Sequence, residues 1–300
     1  ALARGGWRVR AAVRRPDLAG HLQPMGAVGQ IHPVQANLRY PESLGAAADG
    51  ADTVVNLVAI LHKSGAQTFE KLHIDGARAV AKAAKAAGVS RLIHISAIGA
   101  DRTSPGAYGR TKAEGEAAVL AEFPDAIILR PSLVFGPEDQ LFNRFAAMAR
   151  IAPVMPLVGG NTKFQPVYVG DLAAAIAAAA AGKGTPGTIY EIGGPEIMTF
   201  RGIINRAQRW AGRSRPYFPM PFWLAKLVAF ATVPLPNAWR PLTVDQVRML
   251  SVDNVVSDAA IKEGRTLSAF GVDNPHTAAA IVPEYLERFH AKGQFAHYRG

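Results

Sequence analysis

Apolar and polar positions follow two rhythms along the first half of this 300-residue chain. Short runs dominated by apolar or β-branched residues occur at Trp7 to Val13, Gln30 to Ala36, Thr53 to Ile60 (TVVNLVAI), RLIHIS (91 to 96) and AIILRPSLVFG (126 to 136). Each is short enough for a strand and bounded by turn residues. Helical patterns lie between them. Phe69 to Ala87 is rich in alanine and stopped by Gly88, and Lys112 to Phe123 falls within a second helix. Strands alternating with helices predict βα units around a parallel sheet.

After Gly136 the rhythm changes. A helix is predicted around Leu141 to Arg150, then a Pro/Gly-rich connection, a strand near Gln165 to Val169, and a nearly pure alanine helix that Asp171 could N-cap. From about Tyr190 the pattern is irregular, with a helix from Thr199 to Ala211 and a proline-punctuated apolar segment, YFPMPFWLAKLVAFATVPLP (217 to 236). The predicted class is therefore α/β: a Rossmann-like doubly wound parallel sheet with a smaller C-terminal α/β lobe. Residues 1–135 and 165–190 are expected to form the nucleotide-binding core, and 136–164 and 191–300 the lobe. The opening ALARGGWRVRAAVRRP lacks a methionine and reads as the last turn of a helix that stops at Gly5 and Gly6. An upstream segment is expected.

Composition narrows the chemistry. The hydrophobic fraction, 49%, suffices for a sizeable core, and the absence of cysteine removes disulfides and thiolate metal sites. The eight histidines show no metal-binding spacing. A net charge of +10 favours phosphates, acidic lipids or an acidic partner, but no nucleic-acid-binding motif accompanies it, so no nucleic acid is expected.

The segment SAIGADRTSPGAYGRTKAEGE (96 to 116) concentrates the candidate chemistry. Tyr108 and Lys112, four positions apart on a helix, share a face, and an ammonium beside a phenol favours the phenolate. Such a tyrosine can exchange a proton with a substrate oxygen while a nicotinamide exchanges hydride. Ser96, at the carboxyl end of a parallel strand, faces the crevice where open α/β sheets bind ligands. In these residues, and in NLVAI, HIDGARAVAKAAKAAGVSRLIHISAIGA, LRPSLVFGPED, FQPVYVGDLA and YEIGGPEIMTF, the chain resembles the extended and atypical branches of the short-chain dehydrogenase/reductase superfamily.

That resemblance implies a catalytic trio of Ser96, Tyr108 and Lys112, with Tyr108 the acid/base and Lys112 also on the nicotinamide ribose. It places Tyr108, Lys112, Asn37, Leu38 and Pro131 at the cofactor, with Asn37 standing where the family usually has aspartate. The family's first strand and Gly-rich turn, on the order of 20 residues, are expected to precede Ala1. At the end of the second family strand stand Arg14 and Arg15; arginine there accommodates a 2′-phosphate, so NADPH is expected over NADH, with Asp17 the weaker pointer toward NADH.

LTVDQVRMLSVDNVVSDAAIKEGRTLSAFGV (242 to 272) resembles the branch that contains an NADPH-binding accessory subunit of respiratory complex I. This implies a scaffold used mainly for binding, partnered with complex I subunits. Pro221 to Ala231, with Trp223, Leu227 and Phe230 on one helical face, could contact a membrane-embedded partner or the bilayer interface. The expected location is a bacterial cytoplasm, peripheral on the inner membrane. A freestanding NAD(P)H-dependent reductase, a nucleotide-sugar epimerase or dehydratase, and a nucleotide sensor without turnover remain alternatives.

Overall fold

The computed structural model describes residues 1–232 and 243–290. It opens with a 3-10 turn, Ala3–Gly5, closed by Gly6 in the left-handed region. The next elements are β1 (Val9–Val13), β2 (Ile31–Gln35), α1 (Pro41–Ala48), β3 (Thr53–Asn56), a π-helical turn (Glu70–Asp75) running into α2 (Gly76–Ala86), β4 (Arg91–Ile95), α3 (Ala107–Glu122) and β5 (Ile127–Pro131). Beyond them come β6 (Val134–Phe135), α4 (Phe142–Ile151), β7 (Met155–Leu157), β8 (Lys163–Phe164), β9 (Val167–Tyr168), α5 (Val169–Ala180) and β10 (Ile189–Ile192). The last are β11 (Met198–Thr199), α6 (Phe200–Trp210), β12 (Tyr217–Pro219), α7 (Phe222–Ala231), α8 (Val244–Met249), α9 (Asp258–Lys262) and α10 (Ala278–Leu286).

Four strands form the central parallel sheet in the order β10-β5-β4-β3. Side chains alternate across it. Leu92 of β4 packs with Ala77, Ala81 and Ala84 of α2 and Val119 of α3, whereas Ile93 packs with Leu129, Ile192 and, from α5, Leu172, Ala175 and Ala179. One strand thus serves a helical layer on each face, which is the doubly wound arrangement. The alanines suit this role because small side chains bring a helix close to the sheet.

The single sheet expected from the alternation is divided. β1 and β2 pair in parallel, Val9 beside Ile31 through Val13 beside Gln35, but form their own two-stranded sheet. α1 packs on both β2 and α2 and so links the pair to the larger sheet; Leu2 and Trp7 pack against the β4–α5 core. A second apolar core lies in the C-terminal half, where Phe142 and Ala146 of α4, Ile203 and Ala207 of α6, and Val282 and Leu286 of α10 are buried together.

Three local expectations need correction. The strand foreseen over Thr53 to Ile60 ends at Asn56, because the Asn56 side-chain oxygen accepts the Val58 N–H at 3.1 Å and folds the chain into a turn. The helix foreseen over Phe69 to Ala87 begins with a π turn. Asp171 is not the N-cap of α5, whose N-cap is Tyr168. Its carboxylate lies inside the first turn and binds His276 instead, accepting from the backbone N–H at 2.7 Å and lying 2.7 Å from Nδ1. Of the apolar segment 217–236, the part after residue 232 lies outside the described residues.

Candidate functional site

β4 ends at Ile95, and the chain turns outward through Ser96 before entering α3 at Ala107. Lys112, one full turn beyond Tyr108, points back under this turn: its ammonium donates to the Ile95 carbonyl at 2.7 Å, and the residue is only 2% exposed. Burial lowers the Lys112 pKa to about 8 against the opposing effect of the Glu116 carboxylate. At pH 7 it is still mostly charged.

Glu116 cannot neutralise it alone, since the Arg130 guanidinium holds that carboxylate in a two-pronged ion pair at 2.9 and 2.6 Å. One bond to Ile95 leaves the ammonium with two further donors, the complement a sugar's vicinal hydroxyls require. Ser96 is 4% exposed, and among the described residues its Oγ has no hydrogen-bond partner. A buried hydroxyl left so calls for a ligand or water.

Tyr108 departs from the expected electrostatics. Burial pushes its phenol up to about 12. Without ligand it is a neutral proton donor rather than a phenolate in waiting. Its ring sits edge-on to His73, with centroids 5.3 Å apart at 90°. The structure thus brings Ser96, Tyr108 and Lys112 to the end of one strand and the start of the next helix.

The other expected cofactor residues lie on the β1–β2 pair and the end of β5. Arg14 is exposed beyond β1. Arg15 is already bound to Asp17 through both guanidinium prongs, at 3.2 and 2.7 Å, and both side chains are largely exposed. The Arg15 guanidinium is thus engaged within its own turn. The Asn37 side-chain oxygen accepts the Arg39 N–H at 3.1 Å, which fixes the turn after β2. Leu38 lies against α2 at Gly76, where an added Cβ would stand 2.7 Å from Leu38 Cδ1. Pro131 closes β5, its carbonyl accepting the Ile98 N–H at 3.0 Å.

Sequence reasoning missed the C-terminal segment that fastens over this site. Asp245 of α8 caps α3 with both carboxylate oxygens, accepting from Ala107 N at 2.5 Å and Tyr108 N at 3.1 Å. Met249 Sδ lies 3.7 Å from Ser104 Oγ. Asn254 donates to the Ile98 carbonyl at 2.8 Å and accepts from Ser132 Oγ at 2.6 Å. The local signal for α8 was its capping box, Thr243 with Gln246; the partners 122 or more residues away had none.

A family described as NAD(P)H-binding matches residues 1–128. The chain is 35% identical, over 82% of its length, to the mitochondrial NADH dehydrogenase [ubiquinone] 1 alpha subcomplex subunit 9 of Arabidopsis thaliana, of which it spans 64%. The chain is thus similar to an NAD(P)H-binding family over residues 1–128 and to these complex I subunits, of which it spans less than two thirds of the length. A ceramide reductase of Caulobacter vibrioides is 33% identical over 59% of this chain and 55% of that protein.

Among solved structures, an NADPH-dependent quinone oxidoreductase from Escherichia coli, complexed with NADPH, superposes with a TM-score of 0.71 at 22% identity, covering 95% of this chain and 92% of that one. That likeness shows the fold alone. The expected bacterial cytoplasmic location on an inner membrane is overturned, because the complex I relatives are mitochondrial proteins and point to mitochondria. Among the described residues no helix is long and apolar enough to cross a membrane.

Proposed function

We propose that this protein is an NADPH-binding accessory subunit of respiratory complex I, a reductase scaffold used for binding. One observation supports binding over turnover most: the segment from Ile98 to Tyr108, between β4 and the first turn of α3, is fastened by the chain's own Asp245, Met249 and Asn254. The nucleotide-facing groups remain available. Lys112 keeps two donors for a ribose, and Arg14 is the cation for a 2′-phosphate. Because an arginine at the end of this strand suits a phosphate and no carboxylate replaces it, NADPH is the preferred nucleotide.

The partner face is proposed on α7. Ala225 and Ala229 pack inward against Val158 and Val247, while Trp223, Leu227 and Phe230 are 67%, 57% and 71% exposed. Large apolar side chains on one exposed helical stripe mark a contact surface. Replacing Trp223 and Leu227 by serine should sharply reduce recovery of the tagged protein with complex I without lowering its melting temperature. Unchanged recovery would refute this face.

Ser96 and Tyr108 favour a second reading, an NAD(P)H-dependent reductase. When bound, the dinucleotide supplies the hydride. Ser96 Oγ, otherwise unpartnered, would hold a carbonyl oxygen. The Tyr108 phenol, kept protonated by burial, would donate its proton to that oxygen. Tyr108→Phe should then abolish substrate-dependent NADPH oxidation while sparing NADPH binding; equal turnover would exclude it.

A further inference from the structure

The π turn that precedes α2 places a histidine in contact with the active-site helix. His73 lies inside this turn and is 2% exposed. π turns interrupt helices where a side chain must be delivered to a particular place, frequently at functional sites. Here the bulged backbone meets α3 closely: an added Cβ on Gly115 would stand 2.0 Å from the His73 carbonyl oxygen. Only a residue without a side chain allows that approach.

The ring's two nitrogens have different partners. Ile60 N–H donates to Nε2 at 3.2 Å, so Nε2 carries no proton. In a neutral imidazole the proton is then on Nδ1, which lies 3.0 Å from Thr111 Oγ1. The Thr111 hydroxyl passes the chain on, reaching the Ala107 carbonyl at 2.9 Å and the Tyr108 carbonyl at 3.1 Å. The ring itself fills the space between aromatic neighbours, stacked on Phe69 at 5.3 Å and 21° and edge-on to Tyr108 at 5.3 Å.

Burial first, and the Lys112 charge second, bring the His73 pKa down to about 4, with the Ile60 backbone and then Glu70 opposing, so the imidazole is neutral at physiological pH. His94 also faces this region. It is held neutral by burial first and Lys112 next, at about 3.

We infer that His73 is a positioning residue: as an Nδ1–H imidazole it ties the loop after β3, at Ile60, to the turn of α3 that carries Tyr108. On the proposed function, the loop follows β3 at the carboxyl end of the sheet, where open α/β sheets bind ligands, and Tyr108 stands at the start of α3. His73 therefore sets the distance between the two. Neither a helix cap nor simple packing would need both nitrogens and the ring face at once. The contact with Tyr108 stands on the ligand-free geometry; only its effect on affinity rests on the nucleotide reading.

The test uses the full chain, with 15N-labelled histidine and 13C-labelled tyrosine, followed by NMR and by NADPH titration. Wild-type His73 should show a protonated Nδ1 and a bare Nε2, unchanged between pH 8 and pH 5. His73→Phe keeps the ring but no nitrogen; it should shift the Tyr108 ring signals and weaken NADPH binding about 10-fold, the loss of roughly one hydrogen bond. His73→Asn, whose amide can donate to Thr111, should return the Tyr108 signals toward wild type and recover most of the affinity.

A protonated Nε2 in the wild type overturns the inference even where His73→Phe fails to fold. Unmoved Tyr108 signals in a folded His73→Phe overturn it as well. Tyr108 responding as described in a chain that binds no NADPH would uphold the positioning role and remove the nucleotide reading.

Discussion

Replacing Lys112 by methionine should make the ligand-free chain more stable at pH 7 while removing its nucleotide affinity. Burial lowers the lysine pKa from 10.5 to about 8, a drop that corresponds to about 3 kcal/mol of penalty on the charged form. The direction follows from where the proton is held. Between pH 8 and 10.5 the unfolded chain binds it more tightly than the folded one. Wild-type stability therefore rises with pH across that window. The penalty is complete below pH 8 and gone above pH 10.5.

Methionine carries no charge and fills a similar volume, but it loses the bond to the Ile95 carbonyl, worth about 1 to 2 kcal/mol once the carbonyl is left unpaired. Glu116 is not stranded, because Arg130 remains its partner. The net gain at pH 7 is about 1 to 2 kcal/mol, turning into a loss of similar size near pH 10.5. Urea unfolding of both chains at pH 7, 8.5 and 10 reads the difference directly, since all other titrations cancel. A difference independent of pH, or a methionine variant clearly less stable at pH 7, would refute the reasoning.

Arg14→Ala should weaken NADPH binding by one to two decades, ~1.5 to 3 kcal/mol, and leave NADH nearly unchanged in a direct titration; Arg15→Ala, already tied to Asp17, should change little. In acid, His73 and His94 resist protonation down to about 4 and about 3, whereas the unfolded chain takes up those protons near pH 6.5. Stability should thus be full above that pH and fall steadily toward pH 4, a slope that calorimetry should find shallower in His73→Phe. Arg130→Met should cost about 3 to 5 kcal/mol by leaving Glu116, 4% exposed along its side chain, as an unpaired buried charge. The double variant Arg130→Met with Glu116→Leu should recover most of that in denaturant titrations.

The parts of this molecule that depend on near neighbours were legible beforehand. β4, its turn at Ser96 and the helix carrying Tyr108 and Lys112 follow from an apolar run, a turn and a helical pattern within about 30 residues. The stripe of Trp223, Leu227 and Phe230 follows from helical spacing. Its exposure did not, because periodicity marks an apolar face without saying what covers it. Asn56 read as one more strand residue because nothing local reveals that its amide will capture Val58.

The π turn was invisible because one extra residue barely alters a 3.6-residue rhythm. Asp245 and Asn254 act across more than 100 residues of sequence, and only the folded chain brings them to α3 and β5. The raised phenol pKa of Tyr108 belongs to the same class. Spacing placed a cation nearby, but burial decides the outcome.

The central claim, a nucleotide-holding accessory subunit, is tested most directly on the assembled complex. The tagged full-length protein should be isolated from its native membranes under mild detergent, resolved by native electrophoresis, and its released nucleotide quantified. The account predicts comigration with complex I and one NADPH per copy of the subunit, retained by Tyr108→Phe and lost in Lys112→Met. A protein that migrates free of complex I, or that enters the complex without any dinucleotide, would contradict it.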